Sequence, residues 1–156
     1  MSAKILSVAA IKNGTVIDHI PQGISLQILA LLNLISYPKI VTVGLNLPSQ
    51  SMKRKDLIKL EDREITQEEG SRIAIFAPQA TIAIIRNYGV VKKISLKIPE
   101  YVERVFLCQN ENCITNKDRM DSKFRIIQAG HSIHLACVYC ELMYSKDDMK
   151  EYVHSS

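Results

Sequence analysis

The sequence predicts an α+β protein in two parts, an antiparallel sheet that carries two helices and then a small β-rich domain. The first observation behind this prediction is the order β, β, α, β, β, α, β, β of strand and helix patterns in the first part. The second is a break in those patterns near Leu96–Glu100, which predicts domains at 1–98 and 99–156. The third is that all four cysteines fall in the short second part.

The first elements are marked by apolar spacing and by turn residues. Residues 6–20 predict two short strands around Asn13-Gly14, a dipeptide favoured in tight hairpins. Apolar residues recur at helical spacing from Ile24 to Ile35, and Tyr37-Pro38 ends that predicted helix. Ile40–Leu47 then alternates as a half-buried strand does.

A strand at Asp56–Glu61 and a capped helix are expected next. The predicted helix, Thr66–Phe76, opens with Thr-Gln-Glu-Glu, in which the threonine and the last glutamate can each bond the other's backbone amide. Ala80–Arg86 and Val90–Leu96 predict a hairpin with Asn-Tyr-Gly at its turn. This order of elements favours a ferredoxin-like sandwich with an extra hairpin strand.

The four cysteines form two close pairs, Cys108 with Cys113 and Cys137 with Cys140, separated by 23 residues. Each short loop can present two thiolates to one ion, so the spacing predicts one structural zinc ion per chain, held by all four. The alternatives are two disulfides or four buried free thiols, although disulfides within the pairs would close small strained loops. Four cysteine ligands leave no open position for water or substrate, so the site is not predicted to be catalytic.

The second part is too small to hold itself folded by its own core. Metal binding can supply the missing free energy, on the order of 10 kcal/mol or more. The expected strands are Val102–Leu107, Phe124–Gln128 and Ser132–Cys137. Ser145 is expected to cap a short terminal helix. His131 and His134 lie close to the second cysteine pair and are the alternative zinc ligands.

The net charge of +4 is distributed unevenly. Residues 1–100 hold 13 basic and 8 acidic residues, whereas 101–156 hold 7 and 8. A basic first domain favours anionic partners such as phosphates. The chain starts without a basic-then-apolar leader and has no apolar stretch long enough to span a bilayer, so neither secretion nor a membrane partner is predicted. Thiolates suited to zinc fit a reducing cytoplasm.

The sequence shows no catalytic set and no glycine-rich loop that would cradle phosphates. Some basic residues could still converge with His19 on phosphates if their strands are neighbours; these are Lys55, Lys59, Lys92 and Lys93. The alternative is an ordinary solvated strand face, and apolar alternation does not decide between the two.

Several longer stretches together resemble the regulatory chain of aspartate carbamoyltransferase, in the right order over almost the whole chain. These stretches are Ile11–Pro21, Gly44–Ser49, Arg54–Lys59, Ala77–Thr81, Cys108–Ile114 and Cys137–Glu141. The resemblance implies a non-catalytic subunit whose first domain binds the nucleotide effectors ATP, CTP or UTP. It also implies that the zinc domain holds the chain to catalytic trimers, that regulatory chains pair as dimers, and that the assembly makes the first committed step of pyrimidine synthesis allosteric.

The same resemblance implies an effector pocket, residue by residue. Its members are Val8, Ala9, Ala10 and Ile11 around the base, Asp18 and His19 at the ribose and phosphates, Lys59 at the nucleoside, Lys55 near the polyphosphate, and Ile85, Tyr88, Val90 and Lys93 in the wall. Two positions depart from the family, Ala9 where an acidic residue is frequent and Ala83 where asparagine is frequent. Both departures remove a polar side chain from the pocket rim. The preference for one base, and whether each effector activates or inhibits, are therefore the family properties that the resemblance predicts least.

The zinc loops are expected to dock on the catalytic chain through Asn110, Asn112 and Glu141, because the metal draws these polar groups to one exposed edge. The alternative is that they form hydrogen bonds near the thiolates.

Two other classes of protein compete with the interpretation as a regulatory chain. A zinc-ribbon nucleic-acid-binding module would place basic and aromatic residues around the metal, yet the zinc half is net acidic. A nucleotide-hydrolysing enzyme would need a phosphate loop or a carboxylate cluster for magnesium.

Overall fold

The structure is a computed structural model that describes residues 10–149. The described residues up to Lys97 form one compact unit, and those from Ile98 onward form a second. Each unit contains its own antiparallel sheet. The predicted α+β class, with antiparallel sheets and few helices, is confirmed.

The described part of the first unit has a five-stranded sheet in the order β2-β3-β1-β4-β5, with every neighbouring pair antiparallel. Its strands are β1 Gly14–Pro21, β2 Val41–Ser49, β3 Lys53–Glu61, β4 Thr81–Arg86 and β5 Gly89–Ile94. Its helices are α1 Ser25–Leu31 and α2 Gln67–Phe76. The run β1-α1-β2-β3-α2-β4 is the ferredoxin-like unit, and β5 is the extra strand at one edge.

The core of this unit lies on one face of the sheet. Ile17, Ile58 and Ile82 come from three adjacent strands and are buried together with Ile28 of α1 and Ile73 of α2. These branched side chains suit the pleated surface of a sheet. Because both helices bury their apolar sides here, neither described helix of the first unit covers the opposite face.

The two helices differ in how well the sequence predicts them. The capping box of α2 is confirmed, since the Thr66 hydroxyl accepts from the Glu69 amide at 3.1 Å and the Thr66 amide donates to the Glu69 carboxylate at 3.1 Å. Helix α1 ends at Leu31, four residues earlier than predicted. The reason is Asn33, whose φ of 54° turns the chain into the left-handed conformation that terminates helices.

The predicted hairpin around Asn13-Gly14 is wrong within the described residues. Ala10–Asn13 is not in a strand, and residues 6–9 lie outside the described range. Instead, the Asn13 carbonyl accepts from the Asp62 amide at 3.0 Å. Gly14 begins β1 with a φ of 139°, and a Cβ there would lie 1.9 Å from the Leu60 carbonyl oxygen. The glycine therefore serves close strand approach and not a hairpin turn.

The second predicted hairpin is confirmed as the β4–β5 connection. Its turn residues Asn87 and Tyr88 have φ values of 51° and 66°. Two successive positive φ angles are those of a type I′ turn, whose twist matches that of the flanking strands.

The described part of the second unit has a four-stranded sheet in the order β6-β7-β8-β9. The strands are β6 Tyr101–Glu103, β7 Lys123–Ala129, β8 Ser132–Cys137 and β9 Met143–Ser145. A short helix, α3 Ile114–Lys117, and a 3₁₀ turn, Lys146–Asp148, complete it. Strand β9 and helix α3 were not expected from the sequence, because both are too short to show a period.

Two predictions for this unit need correction. Strand β6 ends at Glu103 and not at Leu107, because Arg104 takes a φ of 61° and turns the chain, although Val105 and Phe106 remain buried. Ser145 precedes a 3₁₀ turn and makes no side-chain cap, so the predicted cap is wrong. Across residues 10–149, no helix has the length and apolar content needed to cross a membrane.

Candidate functional site

A row of four paired residues crosses the sheet face that the helices leave uncovered. Val16 of β1 pairs with Lys59 of β3 on one side and with Ala83 of β4 on the other, and Ala83 pairs with Lys93 of β5. Directly paired residues of antiparallel strands point to the same face. The row therefore places one lysine at each end, Lys59 and Lys93, with the small apolar residues Val16 and Ala83 between them. Lys92 is expected on the opposite face because successive side chains alternate, so it does not converge with them.

A β-bulge in β1 brings Asp18 and His19 to this face together. Ile17 pairs with Ile58 and Ile20 pairs with Asp56, which leaves one extra residue in β1. His19 absorbs the irregularity with a φ of 56°. Both isoleucines are fully buried on the core face, whereas Asp18 and His19 between them are partly exposed. A strict alternation would have placed His19 in the core.

The Asp18 carboxylate is the centre of the polar contacts here. It accepts from the Lys55 ammonium at 2.8 Å and from the His19 amide at 2.6 Å. The His19 ring nitrogen Nδ1 lies 3.1 Å from the Thr81 hydroxyl. Thr81 was missed by sequence reasoning, and the only signal for it is its register opposite Asp18.

Lys59 lies in a setting suited to an anion. The residue is only 9% exposed, and burial lowers its pKa below the ordinary value of 10.5, while the nearby Asp18 charge acts in the opposite direction. Because burial disfavours the charged form of this lysine, a ligand that brings negative charge would stabilise that form.

The remaining predicted pocket residues lie near the start of β1 and the β4–β5 turn. Ile11 and Ile85 are each 7% exposed, whereas Tyr88 and Val90 are largely exposed. The Tyr88 amide donates to the Lys12 carbonyl at 2.9 Å, which holds the turn against the segment that includes Ile11 and the exposed Ala10. Val8 and Ala9 lie outside the described residues. The structure thus gives this face an ionic end and an apolar end.

The four cysteines of the second unit form one cluster. The sulfurs of Cys108 and Cys140 are 3.7 Å apart, those of Cys113 and Cys137 are also 3.7 Å apart, and all four lie within 4.8 Å of one another. A zinc ion with Zn–S distances of about 2.3 Å holds tetrahedral sulfurs roughly 3.8 Å apart. Sulfurs at these separations are free thiols and not disulfides. The cluster fits a structural zinc ion, and in the described range it includes neither His131 nor His134.

The thiols are buried and hydrogen-bonded. Burial raises the pKa of Cys108 and of Cys137 above the ordinary thiol value. Burial acts in the same sense on Cys113, but hydrogen bonds from the Thr115 hydroxyl and backbone outweigh it and lower the pKa of Cys113 to about 7. The Thr115 hydroxyl lies 3.2 Å from the sulfur and is itself buried. A bond of this kind orients a thiolate for a metal.

The first thiolate loop is held by amide contacts. The Asn116 side chain donates to the carbonyls of Cys108 and Asn110, both at 2.8 Å, and the Asn110 side chain accepts from the Asn112 amide at 3.0 Å. Gln109 donates to the Asp148 carbonyl across the unit. Asn112 is exposed, so part of the predicted docking set projects from a loop that these hydrogen bonds hold in place.

Glu141 follows the second cysteine pair in a tight turn. Its φ is 65°, its amide donates to the Cys137 carbonyl at 2.9 Å, and the residue is exposed. The 3.7 Å separation of the Cys108 and Cys140 sulfurs draws this turn to the first loop.

Two family models cover almost the whole chain. Residues 6–97 match the aspartate carbamoyltransferase regulatory chain, allosteric domain, and residues 100–150 match the metal binding domain of the same chain. The chain belongs to the aspartate carbamoyltransferase regulatory chain family. Within that family the sheet of the first unit lies in the allosteric domain, and the thiol cluster lies in the metal binding domain.

Individual relatives agree over nearly their full length. The chain is 49% identical over 142 residues to the aspartate carbamoyltransferase regulatory chain of Aliivibrio fischeri strain ES114, covering 91% of this chain and 92% of that one. It is 44% identical over 146 residues to the regulatory chain of Vibrio parahaemolyticus, covering 94% and 95%. These relatives are named as regulatory chains, and the family model that matches residues 6–97 is named as an allosteric domain; both names describe a non-catalytic subunit.

Proposed function

We propose that this chain is the allosteric subunit of an aspartate carbamoyltransferase and binds nucleoside triphosphates on the uncovered face of its first sheet. ATP, CTP and UTP are the effectors, and their binding regulates catalytic trimers that begin pyrimidine synthesis. Regulatory chains pair as dimers, and the assembly works in the cytoplasm, where thiolates remain reduced. Residues 1–98 bind the effector, and 99–156 bind zinc and dock on the catalytic chain.

The convergence of Lys55, Lys59 and His19 around Asp18 carries the proposal for a phosphate ligand. Lys55 is 2.8 Å from the Asp18 carboxylate, and Lys59 is buried beside the same charge. Charge-assisted hydrogen bonds of this kind are stronger than hydrogen bonds between neutral groups. A triphosphate offers these cations more charge than one carboxylate does, and Lys93 at the end of the row extends the site toward its far end.

The apolar end of the same face suits the base. Ile11 and Ile85 are buried there, and residues Val8–Ile11 are proposed to line the base through backbone groups, with Tyr88 and Val90 at the rim. Ala83 lies in the middle of the row and offers no polar side chain. Recognition of the base is therefore proposed to depend on backbone groups, and Lys59 is proposed to contact the nucleoside where it joins the phosphates.

Regulation requires that the effector bind two states of the assembly with different affinity. The second unit is proposed to connect the effector domain to the catalytic trimer. Its four-thiol cluster has no open coordination position once zinc is bound, so its role is to present the exposed loop groups Asn112 and Glu141, with Asn110 bracing the loop.

Calorimetric titration of the zinc-loaded chain with ATP, CTP and UTP tests the effector site. Lys93→Ala and Lys59→Ala are each expected to weaken triphosphate binding about ten- to a hundredfold, because a charge-assisted contact contributes roughly 1.5–3 kcal/mol. Lys39→Ala is the matched control, since Lys39 is an exposed lysine of the first unit bound to Asp62. Unchanged affinity in both site variants would show that the pocket lies elsewhere.

Assembly on gel filtration tests the docking surface. The double variant Asn110→Ala with Glu141→Ala is expected to keep its zinc and its nucleotide affinity but to lose assembly with catalytic trimers, because each stranded interfacial partner costs about 1–3 kcal/mol. Loss of zinc from the double variant would instead assign these groups to the metal site, and assembly at wild-type affinity would place the docking surface elsewhere.

A further inference from the structure

Asp56 of β3 is a fully buried carboxylate on the core face of the first sheet. Its Oδ2 atom accepts from the Gly23 amide at 2.8 Å and from the Ser25 hydroxyl at 2.5 Å, and Oδ1 accepts from the Asn46 amide at 3.2 Å. A buried carboxylate is tolerated only when donors of this kind satisfy it. Asp56 therefore ties together separate segments of the first unit.

The donors come from the segment that follows β1 and from β2, and β1 and β2 are the two neighbours of β3. Gly23 lies in the connection between β1 and α1, and Ser25 is the first residue of α1. Asn46 lies in a second bulge, where β2 shifts register between Gly44 and Leu47 and Asn46 takes a φ of 60°. The extended strand β3 thus runs between two bulges, and the Asp56 carboxylate bonds to the backbone on both sides.

The proposed phosphate site lies directly across the sheet from this carboxylate. Lys55 precedes Asp56 and its side chain points to the opposite face, where its ammonium bonds Asp18. Ile20 and Pro21, which follow the His19 bulge, pair with Asp56 and Lys55. The bulge that presents Asp18 and His19 is therefore joined to Asp56 both by strand pairing and by the Gly23 bond.

We propose that Asp56 is a positioning residue of the effector site, and this inference rests on the proposed function. Its carboxylate holds the end of β1 and the backbone at Lys55 in register, so that Lys55, Asp18 and His19 meet the phosphates of the ligand in one geometry. The role needs an acceptor at both oxygens, because each oxygen faces at least one donor. An amide at this position would turn an NH₂ group toward an amide or a hydroxyl that already donates.

The readout that separates positioning from simple stability is the ratio of two affinities. ATP uses both ends of the face, whereas adenosine carries no phosphates and reaches the ionic end only through its ribose. A loss of positioning at Lys55 and His19 is therefore expected to weaken ATP binding more than adenosine binding. A general loss of folded protein would lower the apparent affinity for both ligands by the same factor.

The experiment is calorimetric titration of the full-length, zinc-loaded chain with ATP and with adenosine. Asp56→Asn is expected to weaken ATP binding about tenfold, equal to about 1.4 kcal/mol, and to leave adenosine within about twofold. Ser25→Ala removes one donor and is expected to weaken ATP two- to fivefold, in the same direction. Asp62→Asn, an exposed Asp-to-Asn change at the end of β3, is the control and is expected to change neither.

Each outcome decides the matter. A parallel loss of ATP and adenosine affinity, or no loss of either, in Asp56→Asn overturns the positioning role. If Asp56→Asn does not fold, Ser25→Ala decides by the same ratio, because its loss of one hydroxyl leaves the carboxylate bonded to Gly23 and Asn46. If the wild-type chain binds no ATP, the proposed function is wrong and the positioning role fails with it. If wild-type binding is intact while the ratio is unchanged in both variants, only the positioning role fails.

Discussion

The two units of this chain reach a folded state by different physical routes. The first buries isoleucines of adjacent strands against two helices, and most of its stability comes from apolar surface removed from water. The second has a small sheet, and three of its four cysteines are among its buried residues. A unit of that size gains its decisive free energy from the metal. One chain can therefore carry a site whose loss leaves the protein folded and another whose loss does not.

The difference also determines how each unit can carry function. In the first unit the functional groups stand on strands that the apolar core supports, including the bulged part of β1, so single side chains can be changed without unfolding the unit. In the second, the groups proposed for docking stand on loops that the thiols hold together. Variants of the effector site are therefore expected to lose affinity while the first unit stays folded, and docking is expected to depend on the metal.

Removal of zinc is expected to have the largest effect. Cys137→Ser breaks the cluster and is expected to unfold the second unit, because structural zinc contributes on the order of 10 kcal/mol. The first unit is expected to keep its fold and its ATP affinity. Amide NMR spectra with zinc content by atomic absorption check both statements, and Ser132→Ala, on the exposed end of the same strand, is the control. Loss of signals from both units would show that they do not fold independently.

Gly14→Ala is the converse test, in which the first unit fails and the second does not. The added Cβ would lie 1.9 Å from the Leu60 carbonyl oxygen, at a φ of 139° that alanine rarely adopts. The expected loss of unfolding free energy is about 3 kcal/mol or more, in the range of the most damaging single changes. Urea denaturation followed by circular dichroism measures it. Gly23→Ala is the control, since Gly23 lies in the same unit and also has a positive φ, of 87°, but has open space around it. Equal losses in the two variants would show that φ, and not the close approach, matters.

Acid is expected to release zinc. Burial holds the pKa of Cys108 and Cys137 above the ordinary thiol value, so both carry protons at neutral pH without the metal, and zinc must displace them. These two protons alone are therefore expected to make zinc affinity fall by at least about a hundredfold, or about 2.7 kcal/mol, for each unit by which the pH falls. Cys113, with its pKa lowered to about 7, adds to the slope only below that pH. Competition with a chromogenic chelator between pH 6 and pH 8 measures the slope, and an affinity independent of pH would contradict it.

The capping box offers the smallest effect. Thr66→Ala removes the hydroxyl that accepts from the Glu69 amide and is expected to cost about 1 kcal/mol of first-unit stability. The same urea measurement detects it, with zinc content unchanged. Ser71→Ala, in the same helix but past its first turn, serves as the comparison and is expected to cost less. A larger effect for Ser71 would refute the capping explanation.

The sequence correctly predicted the features that depend only on residues close together in the chain. The capping box at Thr66 and the turn at Asn87-Tyr88 need only neighbouring residues, and both were found from the sequence. The four cysteines lie together as their spacing predicted. Each short loop holds its own two thiols close, so only one contact between the two loops is needed to complete the cluster. Helix α1 was predicted too long, since the left-handed Asn33 competes with an apolar period that continues past it.

The rest of the candidate site depends on pairing between distant strands, which periodicity does not report. The bulge that turns His19 away from the core leaves no mark in Ile-Asp-His-Ile, where alternation alone buries the histidine. Nothing in the sequence around Asp56 marks it as buried. Its burial depends on donors that lie 10, 31 and 33 positions away. The positioning role proposed for Asp56 could be inferred only from the folded arrangement of those segments.

Strand β1 is the middle strand of the described five, bonded to β3 on one side and to β4 on the other. Amide protons in such a strand exchange with solvent mainly when the whole unit opens. A ligand cannot slow that exchange at Val16 without stabilising the entire first unit. At His19 and the residues after it, where the bulge interrupts the ladder, exchange can occur through local opening. Deuterium uptake in the presence of nucleotide should therefore separate the site's own response from the general stabilisation of the fold within a single strand.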